Sequence, residues 1–100
     1  MPTKYKTIIQ LEAVQDFEDA KAWYKKTRVN GLSQRFSNAV KKTIANLQKH
    51  PIRYAIRYKN IRIAHTDIFP FAIHYFIEND LIVIIAIIYA GRDPQITLDR

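Results

Sequence analysis

The densest chemistry in this sequence is cationic. Lys49, Arg53, Arg57, Lys59 and Arg62 crowd one short stretch, with His50 and His65 beside them. Ammonium and guanidinium groups gathered this closely suit a polyanionic partner, either nucleic acid or an acidic protein surface. The whole chain agrees, carrying a formal net charge of +7 over 100 residues. Plain solubility is the bland alternative, since many small basic proteins bind nothing anionic in particular. Other chemistries are thinly represented. The chain has no cysteine, which excludes disulfides, thiolate metal sites and cysteine nucleophiles and suits a reducing cytoplasm. His50, His65 and His74 stand far apart, without ligand spacing or a carboxylate–histidine motif, so neither a metal site nor a cofactor is expected. Ser33 and Ser37 sit in a helical stretch and lack the elbow motif of a serine nucleophile.

The elements that must position these groups can be read from periodicity. A chain of this length supports one domain, 1–100, with 48% apolar residues for its core. Tyr5 to Leu11 reads as a first strand, ending Ile8-Ile9-Gln10-Leu11. From Glu12 to Thr27 the period changes. Ala13, Phe17, Ala20 and Tyr24 recur at helical spacing, acids lie early, and Lys25, Lys26 and Arg28 lie late, as the helix dipole favours. Asn30-Gly31 supplies positive-φ residues for a turn into a second helix, Leu32 to Lys49. Its stripe is Leu32, Phe36, Val40, Ile44 and Leu47, and Pro51 biases His50 out of the helix.

The cover for this helical hairpin follows. Ile61, Ile63 and His65 alternate with Arg62, Ala64 and Thr66, as in a half-buried strand. Phe69 to Ile77 makes another, with Pro70 near its start, where a missing N–H does least harm. Asn79-Asp80 turns the chain into Leu81–Tyr89, apolar on both parities and therefore expected to be central and covered on both faces. The order β-α-α-β-β-β predicts an α+β fold, a helical hairpin on an antiparallel sheet. Nothing at the N-terminus resembles a signal peptide, and the run Leu81 to Ala90 is far short of the ~20 residues a membrane helix needs. A soluble, cytoplasmic protein with no membrane partner is expected.

In that order, Trp23-Tyr24, Gly31-Leu32-Ser33-Gln34-Arg35-Phe36, Ile61-Arg62, Phe69-Pro70-Phe71-Ala72-Ile73-His74-Tyr75 and Tyr89-Ala90-Gly91-Arg92-Asp93-Pro94 resemble the RelE/ParE toxin superfamily. The resemblance runs from Tyr5 to about Pro94. It implies the toxin of a type II toxin–antitoxin (plasmid stabilisation) system, neutralised by a cognate antitoxin. Members either poison DNA gyrase or enter the ribosome and cut messenger RNA, and the fold alone does not choose between them. For a metal-independent endoribonuclease the resemblance points to Arg62 and Arg92 as phosphate clamps, with Tyr89 as the candidate acid; by side-chain chemistry alone His65 and Lys59 are the further proton-transfer candidates. Lys49, Arg53, Arg57, Lys59, Arg62 and Arg92 are the candidates for binding target or nucleic acid. Both arginines are expected to be replaceable without loss of the fold. Tyr89 stands where relatives frequently carry histidine, and Gln95 to Arg100 offers no tyrosine or histidine. That departure leans the reading toward ParE-like gyrase inhibition. The alternatives are a RelE-like ribosome-dependent endonuclease and a non-toxic binding partner or co-repressor with the same fold.

Overall fold

The structure, a computed structural model, describes residues 5–92 and residue 100. Its elements are β1 (Lys6–Ile9), α1 (Leu11–Lys26), α2 (Leu32–Lys49), β2 (Ile56–Tyr58), β3 (Ile61–His65), β4 (Phe71–Glu78) and β5 (Leu81–Tyr89). The α+β architecture is the expected one, with the helical hairpin laid on a sheet of order β1-β5-β4-β3-β2. Two features depart from the sequence reading. The sheet is mixed, because β1 pairs parallel to β5, with Lys6 opposite Leu81. And β2 is an additional strand, short and at the sheet's edge, antiparallel to β3.

The core forms where the helical stripes meet the sheet. Ala13, Ala20 and Tyr24 of α1 and Phe36, Val40 and Leu47 of α2 are buried against Ala64, Ile73, Tyr75, Ile82, Ile84 and Ile87. Phe36 lies at the aromatic centre, with the Tyr24, Phe69 and Phe71 rings 5.0, 5.4 and 5.0 Å from its own. The turn between the helices is made by Gly31 at φ +77°, and Arg28, rather than Asn30, takes the other left-handed position.

β5 is apolar on both parities for a local reason. Its pairing with β4 shifts between His74 and Tyr75, so Ile84 and Ile87 both face the helices. Ile85 and Ala86 join Val83 and Ile88 in a second apolar cluster on the opposite face. A bulge of this kind switches which parity points inward. The same second face explains a reversal in β3. Ile61 packs with that cluster, whereas Ala64 belongs to the helix-side core, so Arg62 shares the helix side. The expectation that Ile61, Ile63 and His65 face the helices is corrected accordingly.

Candidate functional site

The basic stretch gathers at one end of the sheet. Lys49 is the last residue of α2, Arg53 sits in the following loop, Arg57 is in β2 and Lys59 is in the β2–β3 turn; all four are exposed. The β2–β3 register slips between Ile56 and Tyr58, which makes Arg57 a bulged residue. A short, bulged, cationic edge strand resists pairing with other chains, so these charges have a structural use as well. None of them is ion-paired among the described residues.

Arg62 lies beneath that loop, and its guanidinium is engaged. Nη1 donates to the carbonyls of Ile52 at 3.1 Å and Tyr54 at 2.6 Å. Tyr75, opposite Arg62 on β4, donates its hydroxyl to the Pro51 carbonyl at 2.6 Å. Burial pushes the Tyr75 phenol up to about 12, against the opposing pull of Arg62, and it stays a proton donor. Together the two side chains hold the loop after α2 by its carbonyl oxygens. That work is not legible in the spacing of Ile61-Arg62.

Tyr89 and Arg92 stand at the other end of the sheet. They line a cleft of about 550 Å³ with Asp16, Asp19, Trp23 and Phe71. The Tyr89 ring meets Phe71 edge-on at 6.3 Å and is 54% exposed. The backbone turns here, the Arg92 N–H donating to the Tyr89 carbonyl at 3.0 Å. A Cβ on Gly91 would come within 3.0 Å of the Tyr89 ring, so glycine gives this ring its room. Trp23 is exposed on the same cleft.

The structure therefore divides the sequence-derived site. Arg62 on β3 is opposite Tyr75, whereas Tyr89 on β5 is opposite Phe71, so the two lie four residues apart along β4 and on either side of it, two strands from each other. Strand rise and spacing put their Cα atoms roughly 16 Å apart. His65 is exposed on the sheet face away from Arg62. His74, on that same face, is only 4% exposed, with Nδ1 2.8 Å from the Tyr58 hydroxyl. Burial, then the nearby charges of His65 and Arg100, lower its pKa to about 4, which keeps the ring neutral. Among the described residues no group of histidines or carboxylates could hold a metal ion. No helix there is long and apolar enough to cross a membrane.

Sequence reasoning also missed an ion pair. The β1 ladder ends where the Gln10 N–H reaches the Ile84 carbonyl, which leaves the rest of the β5 edge without a strand. Asp16 accepts the Ile87 N–H at 3.1 Å, and Arg100 donates to the Ile85 carbonyl at 3.0 Å. The two side chains meet in a bidentate pair at 2.6 and 2.9 Å, both mostly buried. Asp16 is one of the early acids of α1, and no local spacing links it to Arg100. The rest of the tail, Gln95 to Asp99, lies outside the described residues.

The family model described as "ParE toxin of type II toxin-antitoxin system, parDE" matches residues 8–94. Among solved structures, a chain of the chromosomal ParDE toxin–antitoxin system from P. aeruginosa superposes with a TM-score of 0.79. That alignment covers 90% of this chain and 100% of that one at 13% sequence identity, a likeness of fold. The comparison with curated proteins gives no match. With a helical hairpin over a five-stranded sheet and a family match spanning both ends of that sheet, the chain belongs to the ParE toxin family of type II toxin–antitoxin systems.

Proposed function

We propose that this chain is a cytoplasmic toxin, neutralised by a cognate antitoxin, that poisons DNA gyrase by binding it. The separation of Arg62 from Tyr89 and Arg92 carries the reading. Cutting RNA without a metal needs a base, a phosphate clamp and an acid within hydrogen-bond reach of one phosphodiester. Here Arg62 clamps a loop, His65 is on the opposite face, and Tyr89 is at the far end. Holding a large enzyme in a damaging state needs only surface. The exposed Lys49, Arg53, Arg57 and Lys59 at one end, and Trp23, Tyr89 and Arg92 at the other, supply candidates.

One observation favours the endonuclease alternative. Tyr89 and Arg92 line a single cleft, an acid beside a cation. A supercoiling assay run beside primer extension on translated messages separates the modes. Inhibited supercoiling with intact message supports the proposal. Codon-phased cuts that vanish in Tyr89→Phe overturn it and make Tyr89 the catalytic acid. If neither effect occurs, the chain is a binder without toxicity.

A further inference from the structure

The open edges of the sheet are treated unequally by the fold. β2 is short, bulged at Arg57 and followed by Lys59, which blunts that side. Beyond the end of β1, the β5 edge is capped by side chains: Asp16 accepts the Ile87 N–H and Arg100 donates to the Ile85 carbonyl. β1 has no such guard. It runs Lys6-Thr7-Ile8-Ile9 without bulge or proline, and among the described residues no strand lies on its outer side. Ile8 and Ile9 are 48% and 40% exposed. Thr7 accepts a hydrogen bond from Gln48 of α2, so the odd positions face the helices. There Ile9 borders an apolar hollow of about 260 Å³ with Val14, Phe17, Val40 and Ile44. Ile8 points to the other face. A regular, β-branched edge with open backbone groups is a template for another strand.

The hydrogen-bond phase of β1 narrows the partner. The Lys6 and Gln10 N–H groups donate inward, to the Asp80 and Ile84 carbonyls. Backbone groups alternate sides along a strand, so Thr7 and Ile9 present theirs outward. A second copy satisfies them. Placed antiparallel across a two-fold axis at Ile8, it sets Thr7 of each copy opposite Ile9 of the other, and both pairs exchange their N–H···O bonds. The two Ile8 residues then meet in the close, non-hydrogen-bonded pairing, with Cα atoms about 4.5 Å apart. Lys6 falls opposite Gln10, beside the α1 turn that carries Glu12, and not opposite the other Lys6. Each Ile9 lies one residue from the axis, so both apolar hollows border the joint on the helix face. The lengths match as well. The open edge ends where α1 begins at Leu11, so a longer strand gains nothing over a second β1. We propose that β1 is a self-association edge, through which two copies of this chain join their five-stranded sheets into one continuous sheet. This state belongs to the free chain and holds whichever target the toxin has.

Sedimentation equilibrium of the full chain alone, at micromolar to millimolar concentration and at low and high salt, tests the proposal. A contact this short belongs with small interfaces, and a dimer that dissociates in the micromolar range is expected. Two chains of formal charge +7 repel, and salt screens the repulsion, so the dimer should tighten as ionic strength rises. Ile8→Lys puts like charges opposite each other at the axis and should weaken it about tenfold or more. Thr7→Pro removes an outward N–H while sparing the β5 ladder, and should be monomeric with a melting temperature within a few degrees of wild type. It also gives up the Gln48 bond, so Thr7→Val, which loses only that bond, should dimerise like wild type. If Thr7→Pro fails to fold, Ile8→Lys decides alone. Wild type that stays monomeric throughout overturns the proposal. So does a dimer that loosens with salt, or one left unchanged by Ile8→Lys. A monomeric wild type whose binding to the adjoining frame's product is lost in Thr7→Pro gives the edge to that partner and rejects self-association too.

Discussion

Replacing Arg62 with alanine tests whether this arginine serves the target or the fold. Its Nη1 bridges the Ile52 and Tyr54 carbonyls, and the second contact, at 2.6 Å, is partly buried. A hydrogen bond from a charged donor contributes about 1.5–3 kcal/mol. The Ile52 carbonyl belongs to an exposed residue and can turn to water, so most of the loss falls on Tyr54. A net destabilisation of about 2 kcal/mol follows, at the low end of the charged range because Arg62 is only half-buried. For a domain of this size that lowers Tm by about 10 °C. Arg62→Lys keeps the charge without the planar fork and should recover only part of the loss. Arg53→Ala, on the exposed side of the same loop, should leave Tm unchanged. The assays are thermal denaturation and growth arrest on expression. An Arg62→Ala protein that melts like wild type yet no longer arrests growth would refute the loop-clamp argument and return Arg62 to the target-binding surface.

Arg92→Ala, at an exposed position in a turn, should keep Tm within a few degrees while abolishing growth arrest; retained arrest removes Arg92 from the site. His74 should make stability fall with acid. Its folded pKa of about 4 lies below the ordinary 6.5, so the unfolded chain binds the extra proton between those values. The contribution is fully present above pH 6.5 and declines as pH falls, by about 1.4 kcal/mol per unit to about 3 kcal/mol below pH 4. Urea melts across that range should show a flatter decline for His74→Gln, and identical slopes would refute the buried neutral histidine. Arg100→Ala should cost about 2–3 kcal/mol, because it leaves the mostly buried Asp16 carboxylate without its counter-charge. Asp16→Asn in that background should restore part of the loss, and additive effects in the double variant would mean the pair is not coupled.

Most of the fold was legible because its helices and long strands carry strong periodic signals. α2 and β5 begin and end where the pattern places them, since proline, glycine and the Asn79-Asp80 turn bound them. β2 was not visible. Its residues Ile56-Arg57-Tyr58 are too few to show a period, and a bulge interrupts them. The facing of β3 was read backwards because alternation reveals that two faces differ, not which one meets the helices. The site suffered for a related reason. Sequence proximity put Arg62 among free cations, but its side chain runs under the loop that carries Arg53.

The parallel pairing of β1 with β5 also bears on how the protein is born. β1 is made first, yet its neighbour is the last strand of the sheet, and Asp16 waits for Arg100. At about 5–20 residues per second, synthesis keeps the first strand unpaired for roughly 4–16 s. During that interval the stripes of α1 and α2 have no finished sheet to cover. Closure between distant parts of a chain is also slow, because its entropy is lost before any contact compensates. The nascent chain therefore lacks its native sheet until β5 has been made. That delay is an interval in which a partner already present can be waiting.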